Sequence, residues 1–73
     1  MGKLRVLSGR EVCKILESQG FAVVRQRGSH IVVQTRLAAT TVTMPVPDHA
    51  ELELGTLASI IRQTGVPRTL FET

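Results

Sequence analysis

A chain of 73 residues, 42% of them hydrophobic, has room for one small core and is too apolar for a disordered tail. Its formal charge of +3 favours an anionic partner, and its single cysteine, Cys13, excludes an internal disulfide and a cysteine-based metal site. No apolar run approaches the roughly 18 residues of a membrane span, and no signal-like stretch follows Lys3 and Arg5. The expectation is one domain over residues 1–73, cytoplasmic and without membrane contact.

The charge is unevenly placed. Residues 1–36 hold Lys3, Arg5, Arg10, Lys14, Arg25, Arg27 and Arg36 against Glu11 and Glu17. Residues 37–73 hold Arg62 and Arg68 against Asp48, Glu51, Glu53 and Glu72. A polyanion would meet the first half.

In chain order, Ser8-Gly9-Arg10-Glu11 reads as a capping box, with Leu7 and Val12 at the two positions of a hydrophobic staple. Val12, Ile15 and Leu16 form one face of the helix that follows. Gly20 ends it in the left-handed conformation, and Phe21 folds back onto it. Two β-rich runs come next, Phe21 to Arg27 and His30 to Arg36. Only Gly28 and Ser29 separate them, the pattern of a type II′ hairpin with glycine first. A third run, Thr41 to Val46, places Val42, Met44 and Val46 on one side, and Pro45 suits an edge strand. Pro47 to Glu53 reads as a polar loop. A second helix is expected from Gly55-Thr56 to Thr64, closed by Gly65 and stopped by Pro67, with one last turn over Arg68 to Phe71. The order is α-β-β-β-α. It describes a small α+β domain with both helices on one face of a three-stranded antiparallel sheet.

A two-residue turn places Arg27 opposite His30 and Arg25 opposite Val32. Arg25, Arg27, His30, Gln34 and Arg36 then share the open face, while Ala22, Val24, Ile31 and Val33 line the helix-covered one. Phe21, Val23 and Val32 fall on the open side too, so the alternation is imperfect, and a bulge would break it.

Two histidines, His30 and His49, are the residues able to exchange protons near neutrality. RNA cleavage needs a base for the 2′-hydroxyl, an acid for the departing 5′-oxygen and positive charge on the phosphate. His30 with Arg25 and Arg27 meets most of that list. Gly28 allows close approach, and Ser29 offers a donor. From residue types alone, a solvated strand-end histidine is the better reading. Asp48-His49-Ala-Glu51-Leu-Glu53 has the look of an oxygen-rich metal site, yet acidic residues ahead of a helix are expected anyway. Cys13 reads as a buried structural thiol. There is no Trp or Tyr, so base stacking cannot carry recognition, and phosphates and 2′-hydroxyls must.

Four strings combine into a wider pattern. They are Leu16-x-x-x-Gly20-Phe21, Arg25-Gln-Arg-Gly28-Ser29-His30, Met44-Pro45-Val46-Pro47-Asp48-His49, and Leu54-Gly55-Thr56-Leu57-x-x-Ile60-Ile61-Arg62-Gln63-x-Gly65. In this order and spacing the chain resembles the HicA (YcfA-like) toxin family over nearly its whole length. The resemblance implies a double-stranded-RNA-binding-like fold. It also implies an mRNA endonuclease (mRNA interferase) of a type II toxin-antitoxin system, neutralised by a HicB-type antitoxin. His30 of Gly-Ser-His takes the catalytic position. Many members carry an aromatic two or three residues later, where this chain has Val32 and Val33, and Val66-Pro67-Arg68-Thr69 also departs from the commoner version. The expected site is thus His30 as general acid/base, with Lys14, Arg25, Arg27, Gly28, Ser29 and Arg36 binding RNA and His49 as a secondary candidate. No metal and no cofactor are expected, and the free toxin is expected to be a monomer that joins a higher assembly with its antitoxin. The competing classes are a non-catalytic RNA-binding module and a partner-docking scaffold.

Overall fold

The computed structural model of the protein describes residues 2–73. Its elements are α1 (Gly9–Ser18), β1 (Ala22–Arg27), β2 (His30–Arg36), β3 (Thr41–Pro47), α2 (Leu54–Thr64) and a closing 3-10 turn (Arg68–Phe71). The strands make one antiparallel sheet in the order β1-β2-β3. This is the α+β arrangement that the sequence pattern predicts. No helix among the described residues is long and apolar enough to cross a membrane.

Both ends of α1 are closed by local chemistry. The Ser8 hydroxyl accepts from the Glu11 amide at 3.1 Å, and the Glu11 carboxylate accepts from the Ser8 amide at 2.9 Å. A cap of this kind stabilises a helix by about 1 kcal/mol. At the far end Gly20, at φ +98°, donates its N–H to the Glu17 carbonyl, and Phe21 donates to that of Leu16. That pair of bonds is a Schellman motif, and it folds buried Phe21 back over Leu16. The Thr35 hydroxyl, donating to the Gly20 carbonyl at 2.9 Å, ties this helix end to β2. Helix α2 begins one residue ahead of expectation, at Leu54, and ends where Gly65 turns left-handed at φ +72°.

Register explains the core. Ile31 faces Val46, Val33 faces Met44 and Thr35 faces Val42 across β2 and β3. Ile31, Val33, Met44 and Val46, with Val42 packed against them, meet Val12, Cys13 and Leu16 of α1 and Leu57, Ile60 and Ile61 of α2 in one apolar cluster, so both helices lie on the same face. Burying each such side chain is worth about 1.5–3 kcal/mol. Leu52 joins the cluster from the stretch expected to be merely a polar loop, and its N–H donates to the Leu7 carbonyl at 2.8 Å.

One expectation is corrected. Pairing passes from Val23 opposite Val33 to Arg25 opposite Val32, which leaves Val24 as a bulge. Ala22 therefore lies beside Gln34 on the open face, Val23 turns to the covered side, and Val24 is unpaired and half-exposed. The physical reason is parity. Phe21 must enter the core below α1 while Arg25, four residues on, must face water, and strict alternation would put both on one side. One extra residue reconciles them.

Two contacts close the molecule. The N-terminal segment lies antiparallel to the C-terminal one, with Arg5 N–H donating to the Phe71 carbonyl at 2.8 Å and Thr73 N–H to that of Lys3 at 2.9 Å. The start of α1 abuts the end of β3 so closely that a Cβ on Gly9 would overlap the Pro47 carbonyl oxygen. Gly9→Ala is accordingly expected to destabilise the protein by about 1–3 kcal/mol through overpacking. Gly55→Ala, where a Cβ meets nothing within 4 Å, should instead raise stability by about 0.5–1 kcal/mol. Thermal unfolding of the two variants checks the opposite signs.

Candidate functional site

The face of the sheet turned away from the helices carries the candidate residues. Arg27 stands opposite His30 and Arg25 opposite Val32. His30, Val32, Gln34 and Arg36 stand opposite Pro47, Pro45, Thr43 and Thr41. Three arginines and a histidine thus share a face that holds no carboxylate. Among the described residues the ion pairs are Arg10–Asp48 and Arg68–Glu72, so Arg25, Arg27 and Arg36 have no acidic partner. All three are exposed, as is His30.

Val32 is the exception on this face, only 6% exposed although no helix covers it. Its cross-strand neighbours are Arg25 and Pro45. Beside it, the Gln34 amide donates to the Thr43 hydroxyl at 3.0 Å.

His30 is aimed by the turn before it. Gly28 sits at φ +58°, and among the described residues no non-glycine has a positive φ. Ser29 therefore does not share that conformation, which fits type II′ and excludes type I′. A Cβ on Gly28 would meet nothing within 4 Å, so glycine is needed there for its backbone, and the space above the turn is open.

Not every predicted residue comes together. Arg36 lies at the other end of the seven-residue β2, about 20 Å from His30 at ~3.3 Å per residue. It borders a shallow concavity that runs through Leu37 to Thr41. Lys14 is exposed on α1, on the opposite side of the sheet from His30. His49 does lie at the His30 end, since His30 pairs with Pro47 two residues before it. Its side chain is exposed, and its carbonyl accepts from Gly9 N–H at 2.9 Å.

Sequence reasoning missed a polar cluster behind the hairpin. Asp48 N–H donates to the Ser29 carbonyl at 2.6 Å. The Asp48 carboxylate accepts from Gln26 at 3.1 Å and from the Arg10 guanidinium at 3.2 and 3.4 Å. Gln26 also donates to the Gly28 carbonyl at 3.5 Å. Arg10 was the available signal, because a cation in the first turn of a helix opposes its dipole and needs a local anion. The Asp48 carboxylate is thereby engaged by Arg10 and Gln26. Among the described residues no three His, Cys, Asp or Glu side chains converge on one point.

The hydrogen bond from Arg10 holds the Asp48 carboxyl below its usual range, and the same bond raises Arg10. The Cys13 thiol is pushed up to about 11, chiefly by burial and then by Glu17 and Asp48. These shifts act with opposite sign. A carboxyl whose pKa is lower folded than unfolded adds stability above its ordinary 3.8 and loses it as pH falls through the lowered value. The stability gap between wild type and Asp48→Asn should therefore narrow between pH 7 and pH 3, as read by urea unfolding at each. A thiol raised from 9.0 to about 11 adds stability below 9.0 and loses it as pH rises towards 11. At pH 8, iodoacetamide should label Cys13 in the native protein far more slowly than in urea.

With the geometry in place, comparison with known proteins adds one match. The family model described as "HicA toxin of bacterial toxin-antitoxin" matches residues 9–66, from the first residue of α1 to just past Gly65. No curated protein and no solved structure matches the chain significantly.

Proposed function

The chain belongs to the HicA toxin family of toxin-antitoxin systems, and on that premise we propose that it is an RNA endonuclease cutting mRNA with His30 as general acid/base. One observation carries this reading. The exposed His30 lies on a face with three arginines, no carboxylate and no ion pair to quench them. An anionic backbone is the ligand such a face attracts, and a single proton-exchanging group stands within it.

The chemistry follows from the residue types. His30 takes the proton of a 2′-hydroxyl, or delivers one to the leaving 5′-oxygen, while Arg27 across the strand and Arg25 on the diagonal stabilise charge on the phosphate. Gly28 leaves room for the RNA backbone, and the Ser29 hydroxyl donates to a phosphate oxygen. Arg36 holds a phosphate further along the strand. Lys14, on the other side of the sheet, contacts only RNA that passes round its edge. His49 is the candidate for the second proton transfer. Histidine and arginine supply base, acid and charge, so no metal is required. The free toxin acts as a monomer in the cytoplasm, and a HicB-type antitoxin silences it by lying across the open face over His30.

The test uses purified protein and a defined RNA in EDTA. Wild type should cut, and His30→Ala should keep its fold by circular dichroism while cutting about 10²–10⁴-fold more slowly. A His30→Ala protein that cuts like wild type removes His30 from the mechanism. Salt-sensitive RNA binding without fragments would make the domain a non-catalytic module. No RNA binding at low salt would leave a partner-docking scaffold.

A further inference from the structure

The cluster behind the hairpin binds three separate stretches of chain to one carboxylate. Arg10 comes from the first turn of α1, Gln26 from β1 and Asp48 from the end of β3. Gln26 pairs with Ile31 and so shares the covered side of the sheet, whereas Arg27 and His30 project to the open side. The Asp48 side chain is only 19% exposed, against 75% for Arg10. Its hydrogen-bond partners are Arg10 at the start of the helix and Gln26 on the covered side, while Arg27 and His30 lie on the other side of the sheet.

The turn is linked to this carboxylate through Gln26 and through the Asp48 backbone. Gln26 holds Asp48 with the same amide that approaches the Gly28 carbonyl at 3.5 Å, and the Asp48 backbone holds the Ser29 carbonyl at 2.6 Å. Ser29 is thus tied to Asp48 directly and Gly28 through Gln26, and Arg10 ties Asp48 to the helix. A two-residue turn at the free end of a hairpin would otherwise rely on the strand pairing alone. His30 is the first residue of β2, so any twist of the turn passes directly into its direction.

We propose that Asp48 is a positioning residue: anchored by Arg10 and Gln26, it fixes the Gly28-Ser29 turn and so sets the direction of His30 without touching RNA. This rests on the reading of His30 as the catalytic group. A displacement of about 1 Å in a reacting group can cost 10²-fold in rate, and loss of an orienting partner behind a functional side chain typically costs about 10–100-fold. The RNA-holding arginines are untouched, so the loss falls on kcat.

The experiment measures kcat and KM on a defined RNA, well below the unfolding temperature, for wild type, Asp48→Ala, Gln26→Ala, the double variant and His30→Ala. Asp48→Ala is expected to lower kcat by about 10-fold or more with KM within about 2-fold. Gln26→Ala should lower kcat in the same way. The double variant should be no worse than the poorer single one, because both remove the same restraint. If Asp48→Ala does not fold, exposed Gln26→Ala decides the matter alone. Folded single variants with wild-type kcat, while His30→Ala is dead, overturn the positioning role and leave the nuclease reading intact. A KM effect with unchanged kcat also overturns it, since Asp48 or Gln26 would then be acting on RNA binding. A His30→Ala variant that still cuts removes both readings together.

Discussion

The fold turns on the parity of β1. This strand must deliver Phe21 into the apolar cluster and, four residues later, present Arg25 to water. A strand alternates strictly, so the two demands conflict unless one residue is taken out of the ladder. The bulge at Val24 does this. Without it, either Phe21 would leave the core or Arg25 and Arg27 would be driven beneath the helices. Desolvating two unpaired guanidinium groups is far costlier than one unpaired residue at a sheet edge. An edge strand is also where such an interruption is cheapest, because one side of β1 has no partner to lose.

A second constraint fixes the opposite edge of the sheet. Gly9 lets α1 start in contact with the end of β3, and that contact brings Arg10 within reach of Asp48. The helix thus braces the sheet at two points: its C-terminal end through Phe21 and the Thr35–Gly20 bond, its N-terminal end through Gly9 and Asp48. His30 lies at the second of these.

How much of this could be read from the sequence depended on how local each cause is. The capping box, the left-handed glycines and the two-residue turn all act within a few residues, and their signatures stand in the chain as written. The pairing of Arg27 with His30 followed from the turn alone. The bulge did not, because its cause is a clash between the core and the solvent side that no single run of residues displays. It showed only as an imperfect alternation at Phe21, Val23 and Val32. The Arg10–Asp48 and Gln26–Asp48 bonds span 38 and 22 residues, and the Arg5–Leu70 bond spans 65. Contacts of that range depend on the finished packing. Leu52 was masked for a related reason, since one apolar residue between Glu51 and Glu53 makes no periodic pattern.

The distribution of charge on the finished molecule carries the last step. All the carboxylates lie on α1, in the segment after β3 or at the C-terminus, and none lies on the open face of the sheet. Arg10 and Arg68 are neutralised by Asp48 and Glu72, whereas the arginines of the open face are not. Arg25 and Arg27 are like charges two residues apart on a face without carboxylates, and they repel one another. An anion that lies across the face relieves that repulsion. Whatever binds the native protein but not the unfolded chain also stabilises it. An RNA backbone and an acidic partner chain would each stabilise the native protein through this face on the same energetic terms.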